Sequence, residues 1–246
     1  MKILTMLASA IIGLFLSCIP ALAGDLQVVL DGGWVLAQYR YQGHTLVLGC
    51  QSKNYTLRFK NTLDRRVLVV PAVDGIWTTN GQVANPSAPA QGYVVPPGES
   101  IEVPGYNLNT KEVARFKFDK PSKSFSVQTG HGIQNVGVIG ALVLREALPN
   151  EDEQVFTSKS GGSNNRSLGT AFGKRESFPV QQVIFTAEDE PYETIVLRYT
   201  DARGLQKYGH HVSENVCNEG RSNDPLLDAQ PFPGFGVTPP PGWRGK

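Results

Sequence analysis

Methionine is almost missing from this sequence: its two copies, Met1 and Met6, both fall in the N-terminal leader. Cysteine and histidine are scarce as well, at three and four residues. No Cys-x-x-Cys pair or protease-like context surrounds a cysteine, which argues against a catalytic one. Neither sign of charge dominates, with 23 Lys and Arg against 22 Asp and Glu. A nucleic-acid partner is therefore not expected, because phosphate binding needs a concentrated basic field. The short basic pairs Arg65-Arg66 and Lys174-Arg175 sit beside Asp64 and Glu176 and read as solvated turn residues. No Gly-x-Ser-x-Gly elbow is present for a hydrolase nucleophile. Beyond residue 23 no apolar run approaches the ~20 residues of a membrane-spanning helix, so no transmembrane segment is expected there.

What is present begins with a leader. Met1-Lys2 precedes an apolar stretch from Ile3 to Ile19, and Pro20-Ala21-Leu22-Ala23 ends it before Gly24 and Asp25. This charge, apolar, small-x-small order predicts a signal peptide over 1–23 and a mature chain in the periplasm or secreted. The alternative takes Phe15-Leu16-Ser17-Cys18 as a lipoprotein signal that tethers the chain through Cys18, although Phe15 stands where such signals carry Leu. Cleavage after Ala23 leaves Cys50 and Cys217 alone in an oxidising compartment, and a disulfide between them is the expectation. Two buried free thiols are the alternative.

The rest of the chain predicts an all-β protein, an antiparallel β-sandwich of immunoglobulin-like or similar kind with long loops. Tyr55, Leu57 and Phe59 alternate with Thr56, Arg58 and Lys60, the period of a half-buried strand. The run Arg66 to Val70 follows as the more deeply buried arm of a predicted hairpin. A second hairpin is predicted from Gly92-Tyr93-Val94-Val95 through Pro97-Gly98 to Ser100-Ile101-Glu102-Val103, with Pro and Gly suited to the centre of a type II turn. Further strands are expected at 27–30, 34–41, 45–49, 113–118, 136–145, 180–186 and 194–199, with a helical turn at 109–112 capped by Asn109 or Thr110. These belong to one sandwich domain over 24–227, interrupted by a polar Gly/Ser/Asn loop at 159–167. Residues 228–246 hold Pro231, Pro233 and Pro239 to Pro241 among Phe232, Phe235 and Trp243, a tail that cannot join a sheet interior.

Taken together, the stretches YTLRFKNTLDRRVLVVPAVDG (55–75), GYVVPPGESIEVPG (92–105) and NVGVIGALVLRE (135–146) resemble a family of exported, β-rich proteobacterial proteins to which no activity attaches. LGTAFG (168–173) and PFPG (231–234) are similar to the same pattern. The chain departs from it at Gly105-Tyr106-Asn107, where the family runs Gly-Phe-Arg. The resemblance implies one exported β-rich unit and assigns no residue a catalytic or binding role.

Candidate chemistry is thin. Gly130-His131-Gly132 starts like a dinucleotide fingerprint but lacks the third glycine and the helix that would follow. His210-His211, with His44, His131 and Glu214, offers weak candidates for a metal site, and nothing in the spacing selects one. Ser100 reads as a turn residue; Glu151-Asp152-Glu153 and Glu188-Asp189-Glu190 read as loop charges. No cofactor is expected. Trp77, Tyr93 and Tyr106 lie near the hairpin turns and, with Phe232, Phe235 and Trp243 of the tail, form the candidate binding surface. The leading expectation is a non-enzymatic exported protein that binds another protein or serves as a component of an envelope or surface assembly, with the tail and long loops as its contact elements. A carbohydrate or small-molecule module, with Trp77, Tyr93 and Tyr106 as its aromatic platform, is the alternative, and an envelope hydrolase the second.

Overall fold

The computed structural model describes residues 24–87, 91–147 and 168–217. The expected signal peptide, the 159–167 loop, the 151–153 acidic cluster and the 228–246 tail lie outside the described residues, as does the alternative lipidation site Cys18.

Two sheets face each other across an apolar core, as alternation demands when each strand has one face to bury. The first is six-stranded. Its path runs from Gly24–Leu30 (β1) through Asn54–Asn61 (β4) and Glu112–Asp119 (β10) to Gly169–Ser177 (β12). Where β4 and β10 diverge, Ser100–Val103 (β8) pairs with β4 and Gly105–Asn107 (β9) pairs with β10. The second sheet is seven-stranded: Gln38–Tyr41 (β2), His44–Leu48 (β3), Glu193–Thr200 (β13), Val138–Arg145 (β11), Val67–Val73 (β5) and Ile76–Trp77 (β6), with Tyr93–Val95 (β7) also on β5. Among the described strands β3 and β13 run parallel, an addition to the antiparallel pattern expected. Phe125–Gln128 (α1) and Ala202–Lys207 (α2) are the two short α-helices described.

The first sheet brings mostly aromatics to the core: Tyr55, Phe59, Phe116 and Phe118 are each at most 2% exposed. The second brings aliphatics, including Val67, Val69, Ile139, Val143 and Leu197. The continuous apolar runs of β5 and β11 have a further cause. Val70, Ala72, Leu142 and Leu144 face away from the main core and form a second cluster with Trp77, whose loop folds back over that outer face. A sheet covered on both sides needs no polar alternation.

Both predicted hairpins resolve differently. β4 and β5 do not pair with each other, because β4 belongs to the first sheet and β5 to the second. β7 and β8 are likewise divided between the sheets. The Pro97-Gly98 turn is formed as expected, with Glu99 N donating to Pro96 O at 3.2 Å and Gly98 at φ +72, but it carries the chain across the sandwich rather than along one sheet. Asn61, fully buried, ties the two crossovers together. Its Nδ2 donates to the carbonyls of Arg65 and Val95, both at 2.9 Å, and its Oδ1 accepts from Leu63 N.

Other boundaries shift too. The 34–41 strand shortens to β2 with one bridge at Val35. The 109–112 turn closes the β9 to β10 connection instead of a helix, with Asn109 Oδ1 accepting from Lys111 N and Glu112 N. The predicted strand at 180–186 is no strand. Residues 178–187 form a strap from the first sheet to the second: Phe178 N and Val180 N donate to Lys111 O and Thr110 O, and Ala147 N donates to Thr186 O. The expected Cys50–Cys217 disulfide is present and joins residues 167 apart in sequence.

Candidate functional site

Two features stand out once the sheets are in place: a buried carboxylate and an open groove. Asp74-Gly75 forms the two-residue loop between β5 and β6, both residues at positive φ (54 and 78), the requirement of a type I′ turn. That backbone turns the Asp74 carboxylate inward, where it is fully buried. Its Oδ1 accepts from Gly137 N at 2.8 Å and Tyr199 OH at 2.7 Å, and its Oδ2 accepts from Thr170 N at 2.7 Å. The three donors come from the 135–146, 168–173 and β13 segments, so stretches far apart in sequence meet on one side chain.

Burial pushes the Asp74 pKa up from 3.8 to about 6, against the hydrogen bonds from Thr170 N, Tyr199 and Gly137 that hold it down. At neutral pH the group is therefore mainly ionised and can only accept. That fixes the direction of the hydroxyl chain behind it. Tyr199 donates to Asp74, Thr170 Oγ1 donates to Tyr199 at 2.9 Å, and Tyr55 donates to Thr170 at 2.5 Å. Burial, reinforced by the Asp74 charge, raises the pKa values of Tyr55 and Tyr199 well above the ordinary phenol range, so both stay protonated. The network is sealed from solvent and locks the two sheets; it offers no approach to a ligand.

The groove is the accessible feature. It encloses about 1290 Å³ between the strap on one side and β7, β8 and the β9 to β10 connection on the other. Amides line it, Asn80, Gln91, Asn107, Asn109, Gln181 and Gln182, together with the rings of Tyr93 and Phe178. Among its described lining residues only Glu102 carries a charge, and Arg58 pairs with it at 2.6 Å. The Thr79 hydroxyl oxygen is buried in the wall without a hydrogen-bond partner among the described residues. A smaller hollow of about 360 Å³ lies beside α2 against His211.

Of the aromatic candidates, Trp77, Tyr93 and Tyr106 are 3%, 7% and 1% exposed, so they make no exposed platform. Trp77 belongs to the outer apolar cluster, and Tyr106 stacks on Phe172 at 5.3 Å. Tyr93 alone of the three reaches the groove, its hydroxyl held by Asn107 Oδ1 at 2.9 Å. Phe232, Phe235 and Trp243 lie outside the described residues. The histidines are not brought together as a metal site. His44 and His131 are exposed on different elements, His210 packs 5.1 Å from the Tyr39 ring, and His211 is exposed. Among the described residues no group of three or more His, Cys, Asp or Glu side chains could hold a metal ion, and no described helix is long and apolar enough to cross a membrane. Glu188 proves more than a loop charge, since it pairs with Arg145 at 2.8 Å and Arg65 at 3.5 Å.

Sequence reasoning missed the strap as a groove wall. Val183 and Ile184, expected in a strand, are left 59% and 93% exposed by the structure. Comparison with protein-family models, with curated proteins and with solved structures returned no match to this chain.

Proposed function

We propose that this is an exported, non-enzymatic protein that binds another envelope or surface protein, and that the strap groove is its contact surface. The observation that carries this reading is the groove itself: long, neutral, amide-lined and bordered by exposed β-branched residues. Such mixed lining suits recognition by hydrogen bonds and apolar contact together. The leader over 1–23 and the Cys50–Cys217 disulfide support an oxidising compartment. The near balance of charge supports a partner other than nucleic acid. The same amides favour, as second reading, a carbohydrate or small-molecule module with the groove in place of the aromatic platform.

A photo-crosslinking amino acid at Val94, in the groove wall, and another at Lys207, on α2, test this in intact cells. The expected outcome is a discrete protein adduct from Val94 and none from Lys207. Identical adducts from both positions would remove the groove as the contact surface.

A further inference from the structure

We infer that the strap receives an extended, uncharged peptide segment of a partner protein, which pairs main chain to main chain with residues 181–185. The inference rests on the groove reading above and names its occupant.

The strap is held at both ends and free between them. Phe178 N donates to Lys111 O at 2.7 Å and Val180 N to Thr110 O at 3.1 Å. At the far end Ala147 N donates to Thr186 O at 2.8 Å, Ala187 bridges to Glu146, and Arg66 lies over the Phe185 ring at 5.8 Å. No turn or bend interrupts 178–186. Among the described residues, the backbone groups of Gln181, Gln182, Val183, Ile184 and Phe185 make no main-chain hydrogen bond. A segment fixed in this way has already lost part of the entropy that strand addition costs.

Its side chains agree. In an extended chain neighbouring residues point to opposite faces. Exposed Val183 and Ile184 therefore present apolar β-branched surface on both faces of the strap, surface that an added strand of similar residues would cover. Charge narrows the occupant further. The one formal charge among the groove's described lining residues is already paired with Arg58, so a charged segment would lose its hydration without gaining a partner there. Size points the same way, because about 1290 Å³ exceeds the roughly 300–1,000 Å³ of small-ligand pockets and suits a short chain.

The test uses the mature protein and a fluorescent, uncharged hexapeptide, acetyl-TVQVTV-amide, with two derivatives N-methylated along one edge or the other. Maltohexaose serves as the neutral-sugar probe, and sedimentation reports self-association. The unmodified peptide should bind. One methylated derivative should bind at least tenfold more weakly and the other nearly normally, since a strand offers its donors alternately to two edges. Val183→Pro or Ile184→Pro should reproduce a tenfold loss from the protein side. Equal binding by all three peptides would overturn main-chain pairing. Maltohexaose binding that Val94→Trp abolishes, with no peptide binding, would overturn it while leaving the groove as a binding site. A dimer that both proline variants dissociate would replace the peptide with a second copy of this chain. Absence of every ligand and of the Val94 adduct would overturn both readings.

Discussion

Asp74 shows what one residue can hold together and how its cost appears as pH dependence. Its folded pKa, about 6, lies above the 3.8 it has when free. Between those values the folded state binds more protons at this group than the unfolded one, so the contribution of Asp74 to stability falls as pH rises from about 4 to about 6 and then levels off. At ~1.4 kcal/mol per pH unit of separation, the fall amounts to about 3 kcal/mol. Tyr199→Phe removes a donor that holds this pKa down and an acceptor of the Thr170 hydroxyl. It should cost about 2 kcal/mol at pH 7 and move the levelling point above pH 6, as read by urea unfolding from pH 4 to 8. An unchanged levelling point would mean that the Tyr199 hydroxyl does not act on the carboxylate. The Asp-Gly turn signal stood in the sequence, but its role was not legible there. The donors to Asp74 lie 63, 96 and 125 residues away, and no local pattern encodes such partners.

At the scale of elements, alternation told which face of a strand is buried but not which strand lies beside it. Tyr55, Leu57 and Phe59 point inward as expected, and Pro97-Gly98 makes its expected turn. Yet both connections cross between sheets, because a tight turn can as well bend out of a sheet's plane as within it. The deciding contact is Asn61, whose amide satisfies carbonyls in both crossovers. Asn61→Ala would leave the buried Val95 carbonyl without that donor and should cost about 3 kcal/mol. Gly98→Ala gives a calibrated comparison. A Cβ there meets nothing within 4 Å, so only the positive φ is penalised, by about 1 kcal/mol. Chemical denaturation of both variants checks the order; a larger loss for Gly98→Ala would show that the turn, not the amide, controls the crossing. β12 escaped the sequence reading because its second half, Lys174 to Ser177, is exposed and charged as edge strands are. α2 had a readable start in Asp201, whose side chain accepts from Gly204 N at 2.7 Å.

For the molecule as a whole, the Cys50–Cys217 link is the long-range constraint that the sequence did disclose, since export would leave no third cysteine to compete. It joins the connection after β3 to residues beyond α2, across a separation of 167. A closure of that length restricts mainly the unfolded chain, on the order of 5 kcal/mol in the chain-entropy picture. The Cys50→Ser/Cys217→Ser double variant should therefore unfold at much lower urea concentration. It should also unfold with a steeper dependence on denaturant, because an unlinked chain exposes more surface when it opens. Neither cysteine lines the groove. Binding of the uncharged hexapeptide, measured well below the unfolding midpoint, should accordingly match the wild type within about twofold. This separates two roles that a single stability measurement would confuse. If affinity fell in step with stability, the groove would depend on the Cys50–Cys217 linkage, and the strap could not be treated as a wall held only by its neighbours in the β9 to β10 connection and just after β11.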